Sequence, residues 1–152
     1  MFSVCQGTEA LFDLDMSSIE KACHTDYKVF GEALLFINVF PSTLIHTEFI
    51  SRIQKIKEGA TFTPSQIVFE ISEAERKHDF KSLSESVEIL KKEGYLIGLD
   101  NIGKGDATLR SIFEYEPDII KFDRFFAGSL KSSEKNQQYM SKIIKVFLGR
   151  SI

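Results

Sequence analysis

Apolar and polar positions alternate on two scales along this chain. Over residues 12–23, 48–58, 79–93, 106–115 and 133–148 the apolar side chains recur at helical spacing. Over 33–39, 66–71, 95–100 and 118–122 they run together in short blocks. The first pattern predicts helices with one buried face and the second predicts buried strands. In the first helix Leu14, Ile19 and Ala22 are the expected inner positions, with Asp15 or Ser17 as caps. Pro41-Ser-Thr opens a turn and a short helix, since proline suits a first helical turn. The 48–58 helix turns Phe49, Ile50, Ile53 and Ile56 inward, and Gly59 and Pro64 punctuate the loop after it. The 79–93 helix carries Phe80, Leu83, Val87 and Leu90 on one face. Lys91, Lys92 and Gly94 mark its end.

Strand and helix take turns, so the strands are expected to be parallel and joined by right-handed crossovers. No linker or low-complexity stretch interrupts the 152 residues, and one α/β domain is expected. Its apolar fraction of 43% and charged fraction of 27% are those of a globular protein. The net charge of −3 speaks against broad electrostatic binding to DNA or to an anionic membrane, though not against one phosphorylated ligand in a local site. Cys5 and Cys23 form neither a metal spacing nor a disulfide framework, and His24, His46 and His78 make no zinc motif. No leader pattern and no apolar run of about 18 residues is seen, so a reduced, cytoplasmic location is expected.

Chemistry enters at the strand ends. Each apolar block stops at a polar side chain: Asn38, Glu70, Asp100 and Lys121. These four lie 32, 30 and 21 residues apart along the chain, one βα unit per step. One amide, two carboxylates and one ammonium suit a divalent cation and a phosphate. Asn38 could offer its carbonyl oxygen to a cation or cap the turn before Pro41. Glu70 sits among Ile67, Val68, Phe69 and Ile71, so its carboxylate needs a cation, a lysine or a proton. Glu73 lies three residues on, as a loop group or a helix cap. Asp100-Asn101 precedes the glycines of Ile102-Gly-Lys-Gly105, which permit close approach of a ligand or an ordinary helix junction. Lys121 points toward a carboxylate or phosphate, and Asp123, of the same strand parity, is a candidate partner.

Phe36-Ile-Asn-Val-Phe-Pro41, Phe69-Glu-Ile-Ser-Glu73, Leu99-Asp-Asn-Ile-Gly-Lys-Gly105 and Ile120-Lys-Phe-Asp-Arg124 resemble four successive motifs of the EAL-domain family. The resemblance runs from about residue 10 to 148. It implies a modified TIM barrel and cleavage of cyclic di-GMP to pGpG with Mg²⁺ or Mn²⁺. By the same resemblance Asn38, Glu70 and Asp100 match metal ligands. Lys121 matches the catalytic residue that positions or deprotonates water, and Asp123 matches the aspartate after it.

The departures change the expectation. Asn101 stands where the family has a second aspartate, Ile102 replaces an aromatic, and Ser72 replaces a threonine. Glu9-Ala-Leu11 spells the family's tripeptide, but only 29 residues separate it from Asn38, and it reads as the start of the first helix. A first catalytic strand and the later glutamate-bearing strands are therefore expected to be missing from 1–152. A full (β/α)₈ barrel needs about 250 residues. The expectation is a partial TIM-like barrel of parallel strands with flanking helices, binding cyclic di-GMP or a protein partner, with self-association through open edges. As this chain it is expected not to catalyse. The alternatives are a Mg²⁺- or Mn²⁺-dependent phosphodiesterase within a longer or complemented chain, and a purely structural module.

Overall fold

The computed structural model describes residues 9–26, 31–72, 79–102 and 108–149. In chain order the elements are α1 (Glu9–Cys23), β1 (Leu35–Val39), α2 (Pro41–Leu44), α3 (Phe49–Glu58) and β2 (Ile67–Ser72). Then follow α4 (Phe80–Lys92), β3 (Leu96–Ile102), α5 (Thr108–Tyr115), β4 (Ile119–Phe122), α6 (Arg124–Ser129) and α7 (Glu134–Leu148). All strand pairs are parallel, and the order in the sheet is β1-β2-β3-β4. Strand order equal to chain order means that each unit adds to the same growing edge, the path of a barrel rather than of a doubly wound sheet.

One sheet face carries the core. Ile37 and Val39, Ile67, Phe69 and Ile71, and Ile97 and Leu99 alternate along their strands. They pack against Phe12, Met16 and Ile19 of α1, Phe49 and Ile53 of α3, and Leu83, Val87 and Leu90 of α4. The Phe69 ring meets Phe49 edge-on at 6.0 Å and Tyr95 at 5.3 Å. Each fully buried apolar side chain of this size contributes about 1.5–3 kcal/mol, so this face holds the domain together. The helix ends follow local chemistry. Asp79 caps α4, its carboxylate accepting from Lys81 N at 3.1 Å and Ser82 Oγ at 2.6 Å. Those bonds, Ser82 first, hold its pKa below the usual carboxylate value. Gly94, at φ +93°, ends the helix in the left-handed conformation that glycine accepts freely.

Three expectations change. Leu14 is 49% exposed, because α1 starts at Glu9 and its buried stripe runs through Leu11, Phe12, Asp15, Met16, Ile19 and Cys23. Asp15 lies within the helix and is buried, so it is not the helix's cap. A short helix, α6, occupies Arg124–Ser129, where six residues are too few to show a period. Glu9-Ala-Leu11 opens α1, as the spacing to Asn38 implied. Glu73 and the Gly103–Gly105 loop lie outside the described residues, as do Cys5 and His78. Among the described residues, no helix is long and apolar enough to cross a membrane.

Candidate functional site

The second sheet face gathers the polar strand residues. Asn38 on β1 pairs in register with Glu70 on β2, and Glu70 with Gly98 on β3. Parity places Phe36, Val68 and Leu96 on this same face. Asn38 is exposed, and the turn it precedes is held from elsewhere. Asp15 Oδ2 accepts from Phe40 N at 2.9 Å and from Thr43 Oγ1 at 2.7 Å. A carboxylate on α1 thus ties down the start of α2, whose N-cap is Phe40 and which has no side-chain cap bond from Asn38. A contact across 28 residues leaves no mark in a helical period, so the sequence shows Asp15 only as a local cap candidate.

The register between β3 and β4 places the next two residues. Leu99 pairs with Ile120 and Ile102 with Phe122, so β3 spends one residue more than β4 between these points. That extra residue is a β-bulge at Asp100-Asn101, opposite Lys121. Asn101 takes φ +58°, a left-handed conformation that asparagine tolerates better than most residues. Burial records the consequence: Leu99 and Ile102 are in the core, while Asp100 and Asn101 are both partly exposed. Strict alternation would send Asn101 into the core. The bulge keeps both polar side chains out of it, where the Asn101 amide donates to Asp100 Oδ2.

Glu70 is the buried carboxylate of the face. Its side chain is 5% exposed, and Lys121 Nζ lies 2.7 Å from Oε1 and 2.9 Å from Oε2. Of the cation, lysine or proton that its burial demands, the chain supplies a lysine. Lys121 therefore pairs with Glu70. Strand parity does not extend to Asp123, because β4 ends at Phe122. Asp123 lies beyond it at the head of α6, with Oδ1 accepting from Phe126 N at 3.3 Å. Lys121 also sets its ammonium 4.1 Å from the centre of the Phe36 ring. Phe36 was missed; its position two residues before Asn38, on the same face, was the available signal.

Among the described residues, no three or more His, Cys, Asp or Glu side chains are grouped closely enough to hold a metal ion. The oxygens on offer are those of Asn38, Glu70, Asp100 and Asn101, two of them from amides.

The pattern of the EAL domain matches residues 1–150. The chain belongs to the EAL domain family. Among relatives of this EAL domain, the blue light- and temperature-regulated antirepressor BluF of Escherichia coli is 28% identical over 116 residues. That alignment covers 76% of this chain and 29% of BluF. The probable cyclic di-GMP phosphodiesterase PdeA of the same organism is 24% identical, over 76% of this chain and 16% of its own. Among solved structures, the manganese/cyclic-di-GMP complex of Klebsiella pneumoniae BlrP1 superposes with a TM-score of 0.80 at 22% identity. It covers 93% of this chain and 36% of that one. The EAL domain of Mycobacterium smegmatis DcpA reaches 0.72 at 21% identity, over 84% of this chain and 60% of its own. These structures share the EAL fold. The chain spans less than a third of either curated relative it matches here.

Proposed function

We propose that this chain is a degenerate EAL module of cyclic-di-GMP signalling that binds cyclic di-GMP and, as this chain, does not hydrolyse it. The observation that carries this reading is the β3 bulge, which offers one carboxylate and one amide where a pair of cations needs two carboxylates. Two-metal hydrolysis uses one ion at the attacking oxygen and another at the leaving oxygen. Asn38, Glu70 and Asp100, with the Asn101 oxygen beside them, suit the hard-oxygen demands of one Mg²⁺ or Mn²⁺. When bound, that ion supplies positive charge to a phosphate. Lys121 supplies a second positive group at the same place, and Asp123 follows it at the head of α6. The named activity of the phosphodiesterase relatives and the manganese and cyclic-di-GMP content of the BlrP1 complex support the ligand class. A cytoplasmic setting is part of the same reading.

The experiment is calorimetry with cyclic di-GMP, with and without Mn²⁺, alongside chromatography for pGpG. Heat of binding without product is the expected result. Product formation at a steady rate would return the chain to the enzymes, and absence of binding would remove the ligand. A second reading, a module that binds a protein partner or its own copy, is favoured by the apolar positions Leu34 and Phe36, which are exposed on or beside the second face. The antirepressor name of BluF fits that reading.

A further inference from the structure

The Lys121 ammonium is held by more than its carboxylate. It reaches from β4 across β3 to Glu70 on β2 and comes to rest over a ring on β1. Two strand spacings are about 10 Å, so the lysine and glutamate side chains span β3 between them. A Cβ at Gly98 would meet Val68 Cγ1 at 3.1 Å and Glu70 Cγ at 3.9 Å, so the glycine leaves room for the Val68 and Glu70 side chains. At the far end stands Phe36, 37% exposed and outside the core cluster. An aromatic ring within about 6 Å attracts an ammonium through its electron-rich face. Glu70 and Phe36 thus hold Lys121 from two sides.

We propose that Phe36 is a positioning residue that stabilises Lys121 against Glu70, so that a divalent cation gains Glu70 only by displacing the ammonium. The clamp stands on the geometry alone; the competition rests on the reading of Glu70 as a metal ligand. The physical reason is charge. With Lys121 in place the Glu70 charge is neutralised, and among the described strand residues of this face Asp100 is the carboxylate that is left. Affinity for a hard divalent cation follows the count of charged ligands. Any group that holds Lys121 on Glu70 therefore opposes the metal, and Phe36 does so without touching it.

The test uses Phe36→Leu and Phe36→Tyr in the full chain. The Lys121 ε-methylene proton resonance is expected upfield of the free-lysine position in the wild type and in Phe36→Tyr, and at the free position in Phe36→Leu. Mn²⁺ titrated by calorimetry is expected to bind Phe36→Leu about two- to fivefold more tightly than the other two, the factor that corresponds to an exposed cation–π contact of about 0.5–1 kcal/mol. A wild-type Lys121 signal at the free-lysine position overturns the clamp. Equal Mn²⁺ affinities in all three overturn the competition. If none of the three binds Mn²⁺, Glu70 is no metal ligand and the competition falls with that reading, while the Lys121 resonance still decides the clamp. The tyrosine variant keeps the ring, so a change seen in both variants would reflect packing and would also overturn the proposal.

Discussion

Glu70 and Asp15 are the two buried carboxylates that decide most at the scale of single residues. Both satisfy the rule that a buried charge needs partners, and both find them far away in sequence. Asp15 takes two donors on one oxygen, Phe40 N and Thr43 Oγ1. Asp15→Ala leaves a buried amide and hydroxyl unpaired and is expected to cost about 1–3 kcal/mol. Asp15→Asn is expected to cost clearly less, because one amide oxygen can accept both bonds. Urea unfolding of the three proteins checks the order. Cys23 tests the core in another way. Burial pushes its thiol from 9.0 up to about 11, and burial first, then the charges of Cys23 and Glu93, pushes Tyr95 up to about 12. In the unfolded chain both groups lose protons at lower pH than in the folded chain. The stability that Cys23 contributes is therefore intact below pH 9 and falls as pH rises toward 11, and that of Tyr95 is intact below pH 10 and falls as pH rises toward 12. For Cys23 the loss is on the order of 2 kcal/mol across that window. Cys23→Ala is expected to flatten this part of a pH–stability curve. The need of Glu70 for a partner was legible in Ile67-Val-Phe-Glu-Ile71; that Lys121 reaches it was not, because a partner two strands away has no fixed spacing.

At the scale of elements, the four strand ends were readable because each apolar block stops at a polar residue. The bulge in β3 was not, because a bulge is one residue out of phase and leaves the same run of letters. Asn101 records it in its backbone, at φ +58°. Asn101→Val forces a β-branched residue into that conformation and is expected to cost about 1–3 kcal/mol. Asn101→Gly relieves it and is expected to leave stability close to that of the wild type. Thermal unfolding separates these outcomes. Asn101→Asp keeps the bulge and restores a carboxylate. It is expected to raise the number of Mn²⁺ ions bound per chain from one to two in calorimetry with cyclic di-GMP present. An unchanged stoichiometry would mean that the amide is not what limits the second ion. The α6 helix escaped notice for a different reason. It is held by Asp123 at its head, a residue that reads in sequence as part of the strand before it.

At the scale of the whole molecule, the two faces of the sheet are unequal. Parallel sheets occur almost only where both faces are covered. Here the core helices pack on one face, while the other presents Phe36 and Asn38 to solvent, with Leu34, 43% exposed, just before β1. The face is divided: Glu70, Lys121 and Asp100 form a charged centre, and apolar side chains flank it on the β1 side. Such a surface favours association, since an exposed sheet face and its edges find partners unless something else covers them. The chain is therefore expected to self-associate with rising concentration in sedimentation runs. Leu34→Lys is expected to shift that equilibrium toward monomer. Ile89→Lys makes the same chemical change at a residue 42% exposed on α4, away from this face, and is expected to leave it unmoved. Cyclic di-GMP adds the decisive comparison. A ligand seated over Glu70 and Lys121 covers the face that associates, so saturating ligand is expected to lower the sedimenting mass of the wild type and to change that of Leu34→Lys little. Equal effects of Leu34→Lys and Ile89→Lys would place the association on the helical side. A ligand that binds yet leaves the mass unaltered would separate the binding site from the associating surface.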